Sequence, residues 1–204
     1  MRGATTLAYA SNLAVGATVM KRGKIMQILQ RRVINGIGGF KAQHFDIMMA
    51  PDEYPIPQEY ITFVGIDPGT RNMGLALIQN GQGRAFDIHL PPCPTRIESI
   101  KLIQFSIQYL MENFWSDGFG KGCWILHIED AAFGMKFGQV QLAESRCSAM
   151  MYFAPHAAIN IIAPARIRKT VFGGGKIKAE TVWDILPNAG AALSCAVYGM
   201  LTYD

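Results

Sequence analysis

The chain reads as an α/β protein, and three observations predict it. The run from Ile61 to Ile78 is an apolar strand, a tight Asp67-Pro68-Gly69 turn and a second strand. Trp124-Ile125-Leu126-His127-Ile128-Glu129 is another short apolar run, again ending in acid. Between them the period changes: Ile97, Ile100, Ile103, Ile107, Leu110 and Met111 form a helical stripe over Thr95–Trp115. Half of the 204 residues are hydrophobic and 17% are charged, which supports a sizeable core and argues against disorder over most of the chain.

The elements follow in order. Strands are expected at 60–67, 72–80 and 84–90, an antiparallel meander with Asn80-Gly81-Gln82-Gly83 as its second turn. The helix over 95–115 ends at Gly118-Phe119-Gly120. Trp124–Glu129 is too short and apolar for anything but a buried strand. Gln139–Phe153 reads as a helix and Ala158–Ala163 as a third buried strand. Pro164 suits the first turn of a short helix, which glycines 173–175 break. A helix over Lys178–Leu186 stops at Pro187, and Asn188–Thr202 is a last, largely apolar helix.

Ahead of these lies a different composition. Residues 1–58 hold seven Lys/Arg against three acids, a net of +4, whereas residues 59–204 hold twelve of each. Residues 1–45 contain no acid at all. That suits an organellar transit peptide or a basic arm, with Met20, Met26 and Met48 as alternative starts. We expect a basic N-terminal extension over 1–58, an accessory arm or an appended strand-helix element, in which Lys24–Val33 suits a short basic amphipathic helix. A linker follows at Asp52–Pro57, where two prolines oppose regular structure. No apolar run reaches the roughly 18–20 residues that span a bilayer, so no membrane partner is expected. Cys93, Cys123, Cys147 and Cys195 lack metal-site spacing and read as free thiols.

The residues with chemistry are the strand-end acids. A carboxylate at the end of a buried strand is unfavourable unless something compensates it. Asp67 either caps its own turn or faces a cation. Gly69 is expected to give that turn its special backbone angles and to leave room near a phosphate.

These segments together resemble the RuvC family of Holliday-junction resolvases, within the RNase H-like nucleases. The resemblance runs from about Tyr60 to Tyr203. It rests on Gly65-Ile66-Asp67-Pro68-Gly69-Thr70, Ile128-Glu129, Pro164-Ala165-Arg166-Ile167-Arg168-Lys169-Thr170-Val171, Gly173-Gly174-Gly175-Lys176 and Pro187-Asn188-Ala189-Gly190-Ala191-Ala192-Leu193. It implies an RNase H-like fold over 59–204, a mixed five-stranded sheet with helices on both faces. It implies a homodimer making paired, symmetric nicks in four-way DNA junctions, with Mg2+ (or Mn2+) held by Asp67 and Glu129. Two such ions about 4 Å apart would activate the attacking and leaving oxygens. Arg166, Arg168, Lys169, Lys176 and Lys178 would line the DNA groove. Phe133 and Phe137 would probe unstacked bases or else pack in the core. A bacterial or phage-infected cytoplasm is the expected location, or a mitochondrion or plastid if residues 1–45 are a transit peptide.

One feature departs from the family. The final helix of a RuvC-like enzyme carries two acids three residues apart, on one helical face. Here those positions are Asn188 and Ala191. Asparagine keeps an oxygen without the charge; alanine keeps nothing. The chain is then an inactivated variant, a natural junction-binding pseudo-nuclease, or an enzyme whose site another acid such as Asp130 completes. The expectation is a poor nuclease. A weaker rival is another RNase H-like enzyme acting on RNA or replication intermediates.

Overall fold

The computed structural model describes residues 5–8, 25–49, 61–115, 122–130, 139–174, 176–178 and 185–203. Strands β1 (Thr5–Ala8), β2 (Ile25–Asn35) and β3 (Lys41–Met49) come first. Strands β4 (Ile61–Asp67), β5 (Asn72–Gln79) and β6 (Gln82–His89) form the meander. Helix α1 (Arg96–Phe114), strand β7 (Cys123–Glu129), helix α2 (Gln139–Phe153), strand β8 (Ala157–Ile162) and helices α3 (Pro164–Phe172) and α4 (Pro187–Thr202) complete the described order. All eight strands lie in one sheet, ordered β1-β2-β3-β6-β5-β4-β7-β8. Strands β4 to β8 alone have the order β6-β5-β4-β7-β8, with β7 and β8 parallel to β4, as an RNase H-like sheet requires.

The five strands expected over 59–204 are β4 to β8, and three further strands extend the sheet on the β6 side. Part of the basic N-terminal stretch adds to the sheet: β3 pairs antiparallel with β6 from Lys41↔His89 to Met48↔Gln82, and β2 pairs with β3. Lys24–Val33 is not an amphipathic helix, because Ile25–Asn35 is strand β2. Pairing with β3 overrides a weak helical pattern, as strand formation depends on context more than on propensity. The strand turns Arg31 and Arg32 to opposite faces, one over the Phe45 ring and one over Phe114. The Asp52–Pro57 linker lies outside the described residues.

Local chemistry explains the boundaries. Asn80 and Gly81, both at positive φ (47° and 71°), make the two-residue hairpin turn between β5 and β6. Thr95 and Glu98 form a reciprocal capping box at the start of α1. Pro164 opens α3, and Gly173 closes it at φ 78°. Pro187 is the first residue of α4, one residue before the start expected. Most of the helix expected at Lys178–Leu186 lies outside the described residues.

Helices cover both faces. Phe45, Ile47, Phe63, Ile78, Ala85 and Leu193 belong to the core under α3 and α4, while Val64, Ile66, Leu75, Phe86, Ile107 and Phe153 belong to the core under α1 and α2. Strand β3 feeds both layers. Strand β8 is not the buried strand expected; it is an edge, with Ala158, Asn160 and Ile161 exposed. Of the thiols only Cys195 is buried, and Cys123 and Cys147 are exposed. Among the described residues no helix is long and apolar enough to cross a membrane.

Helix α4 lies unusually close to the sheet, and this placement builds the site. A Cβ at Gly65 would stand 1.9 Å from the Ala192 carbonyl oxygen, and one at Gly74 would stand 1.9 Å from that of Asn188. Any side chain at either position would push the helix away. Its contact face is small throughout, with Ala189, Ala192 and Ala196 fully buried.

Candidate active site

Register brings three carboxylates together on the α4 face. Asp67 ends β4 and stands opposite Gly74 on β5, which stands opposite Asp87 on β6. On the other side β7 runs parallel to β4 with Ile66 beside Ile128, so Glu129 follows beside Asp67. The two acids expected to share a site are therefore on adjacent strand ends. Asp87 is an addition that the sequence reading missed. The signal was present: Ala85-Phe86-Asp87-Ile88 places one acid inside an apolar strand, the same anomaly that singles out Asp67.

The electrostatics of Asp67 and Glu129 are only partly compensated. Asp67 keeps partial solvent contact, yet burial and then the charges of Glu129 and Asp87 push its carboxyl up to about 8, against the opposing pull of Arg168. Burial also raises Glu129, again opposed by Arg168, whose Nη2 lies 3.6 Å from Glu129 Oε1. Such a centre favours a proton or a metal ion. Its donors are all oxygen, which matches a hard cation such as Mg2+. Among the described residues, however, no group of three or more His, Cys, Asp or Glu side chains is gathered closely enough to hold a metal. Asp67 and Glu129 supply two carboxylates on adjacent strand ends, fewer ligands than the two-ion arrangement takes.

The final helix explains why. Asn188 turns its donors to Asp87. Its backbone N–H donates to Asp87 Oδ2 at 3.1 Å, and its Nδ2 donates to both Asp87 oxygens at 3.1 Å. The Ala189 N–H adds a longer bond of 3.4 Å to the same carboxylate. Ala191 does face the cleft, a space of about 180 Å3 that it lines with Glu129, Arg168, Lys178 and Ser194. Asp130 does not complete the site. It follows Glu129 by one residue, so it takes the other face of the sheet, where Arg146 pairs with it.

The cationic residues divide. Arg168 and Lys178 line the cleft, whereas Arg166, Lys169 and Lys176 are exposed around it. All sit on or just after α3, whose apolar side is anchored by Ile167, Val171 and Phe172. Phe133 and Phe137 lie outside the described residues. Gly69 is required for a different reason from the one expected. It is not among the positive-φ glycines; instead a Cβ there would stand 1.8 Å from the Asn72 carbonyl oxygen. His127 fills core: it is buried, burial holds it down at about 4, and its ring lies edge-on to Tyr198.

No family model matches the sequence, and no curated protein sequence does. Solved structures do match. RuvC of T. thermophilus, in complex with a Holliday junction substrate, superposes with a TM-score of 0.52 at 11% identity, covering 70% of this chain and 94% of that one. A second structure of Thermus thermophilus RuvC gives a TM-score of 0.52 at 12% identity, covering 69% and 93%. The fold is that of RuvC. At this identity the likeness carries the architecture alone.

Proposed function

We propose that this chain is a RuvC-like, Mg2+-dependent endonuclease of branched DNA, acting on four-way junctions as a homodimer, with weak catalysis as written. The observation that carries this reading is the Asp67–Glu129 pair on adjacent strand ends, faced by Arg168 from α3. Asp67 and Glu129 would hold the ion, which when bound polarises a phosphodiester and activates water. Arg168 neutralises charge at the rim and, with Lys178, draws a phosphate into the cleft. Arg166, Lys169 and Lys176 extend the positive rim along the backbone. Ala191 contributes no ligand, so one anchor of the reaction is missing. Paired nicking of a two-fold symmetric junction needs two sites, hence the dimer.

A non-catalytic junction binder is the second reading, favoured by the absent acid at 191 and the Arg168–Glu129 ion pair. One assay separates them. The unmodified chain should bind four-way junctions in preference to linear duplex and cut them very slowly in Mg2+. Ala191→Asp puts a carboxylate into the cleft beside Glu129 and should recover paired nicking by about 100-fold or more, the scale of losing a charge-stabilising group. Rapid cutting by the unmodified chain would show that another group completes the site. An Ala191→Asp protein that gains metal affinity but never cuts would favour the binder.

A further inference from the structure

The contacts of Asp87 contain more than an anchor for a helix. Its side chain is almost fully buried. It accepts from Asn188 N–H, Asn188 Nδ2 and Ala189 N–H at the start of α4. On its other side His89 Nε2 lies 3.0 Å from Oδ1, and His89 Nδ1 lies 2.8 Å from Asn72 Oδ1. One carboxylate thus joins the end of β6, the start of β5 and the first turn of α4.

We propose that Asp87 and Asn188 are a charge-exchanged pair. The carboxylate that a RuvC-like site expects on the first turn of the last helix stands here on β6, and the amide has taken the helical position. Asp87 is the positioning residue that seats α4 and keeps negative charge beside Asp67. This inference rests on the RuvC-like reading of the site.

Three points of geometry support the exchange. The contact needs one carboxylate and one amide: two carboxylates would repel, and a buried, unmatched charge is strongly unfavourable. The two positions face each other across Gly74, which has no side chain and whose Cβ position is filled by the Asn188 carbonyl oxygen. So no other group separates Asp87, Asn188 and the strand that also faces Asp67. Finally, the buried charge lies at the positive end of a 16-residue helix, where a carboxylate is favourable whichever element supplies it.

The exchange explains why Asn188 cannot simply be restored to acid. Asn188→Asp in this chain would place a second carboxylate 3.1 Å from Asp87, where the amide now donates. The test is the cycle of Asp87→Asn, Asn188→Asp and the double variant, each on the full chain. Two properties are read: the melting temperature, and Mn2+ affinity by calorimetry with the ion alone. Asp87→Asn should weaken Mn2+ binding about tenfold or more, the scale for a group that supports a metal ligand. Asn188→Asp should lower the melting temperature. The double variant should recover melting temperature and Mn2+ affinity together, because an amide on β6 then donates to a carboxylate on α4. Unchanged Mn2+ affinity in Asp87→Asn would reduce Asp87 to a helix anchor and overturn the proposal. So would a double variant no better than the worse single one. Junction binding of the unmodified chain in EDTA runs alongside. Junction preference without rescue refutes the exchange alone, and rescue without junction preference refutes the nuclease reading alone.

Discussion

Two acidic residues on the same sheet have opposite surroundings. Asp46, on β3, is enclosed by Arg32 at 2.9 Å, Arg84 at 3.3 Å and His44 at 3.1 Å. Burial pushes its carboxyl up, but the bonds to His44 and Arg32 outweigh this and hold it at about 2. Asp67, on β4, is raised to about 8 by burial and by two further acids. The first cluster joins β2, β3 and β6 and is satisfied within the protein. The second is opposed only in part, by Arg168. The comparison separates a carboxylate surrounded by cations from one surrounded by further acids, a distinction residue type alone does not provide.

The largest effect should come from breaking the compensated cluster. Asp46→Ala leaves Arg32 and Arg84 without their shared anion and His44 without its neighbour. It should destabilise by about 2–3 kcal/mol, or roughly 5–10 °C in melting temperature for a chain of this size. Asp67→Asn should do the reverse, leaving the melting temperature unchanged or raised, while Mg2+ no longer stabilises the protein. Equal losses in the two variants would remove the contrast.

The pH dependence should sharpen it. Asp46 is lowered from 3.8 to about 2, so its contribution is present above about pH 4 and lost as pH falls through 2. Asp67 is raised from 3.8 to about 8, so its contribution is present below about pH 4 and lost as pH rises toward 8. In thermal melts with EDTA from pH 5 to 8, the unmodified chain should lose stability relative to Asp67→Asn, and Mg2+ at pH 8 should restore it. Parallel curves for the two proteins would show that Asp67 carries no strain.

What could be read from the sequence follows the range of each interaction. Period and turn chemistry placed the meander, α1, α2 and α3 within a few residues, because those signals are local. Asp67 and Glu129 stood out because each ends an apolar run. Asp87 stands inside an apolar strand in the same way, but its pairing with Asn188 depends on Gly74 opposite and on α4 lying close above, two facts of register and packing. An appended strand-helix element was one expectation for the N-terminal stretch, but the position of β2 was not legible for the same reason: it is a strand through pairing with β1 and β3. The loss of charge at 188 was visible, but its counterpart 101 residues away in sequence was not.

The smallest effect concerns the rim between the two clusters' extremes, where Arg168 partly compensates the site. Arg168 and Lys169 are neighbours on α3, but only Arg168 lies against Glu129 and lowers both Glu129 and Asp67. On the proposed function each contributes one cation to a phosphate, so Arg168→Ala and Lys169→Ala should each reduce the salt slope of junction binding by about 1. Their effects on the metal site should differ. Removing Arg168 leaves the acids with still less compensation, so they hold protons to higher pH. Mn2+ binding should then need higher pH in Arg168→Ala and keep its profile in Lys169→Ala. An unchanged salt slope in both variants would assign α3 to solvent rather than to DNA. A shifted Mn2+ profile in Lys169→Ala would mean that the positive rim acts on the acids as a diffuse field, and that the Arg168–Glu129 contact is not the element that tunes them.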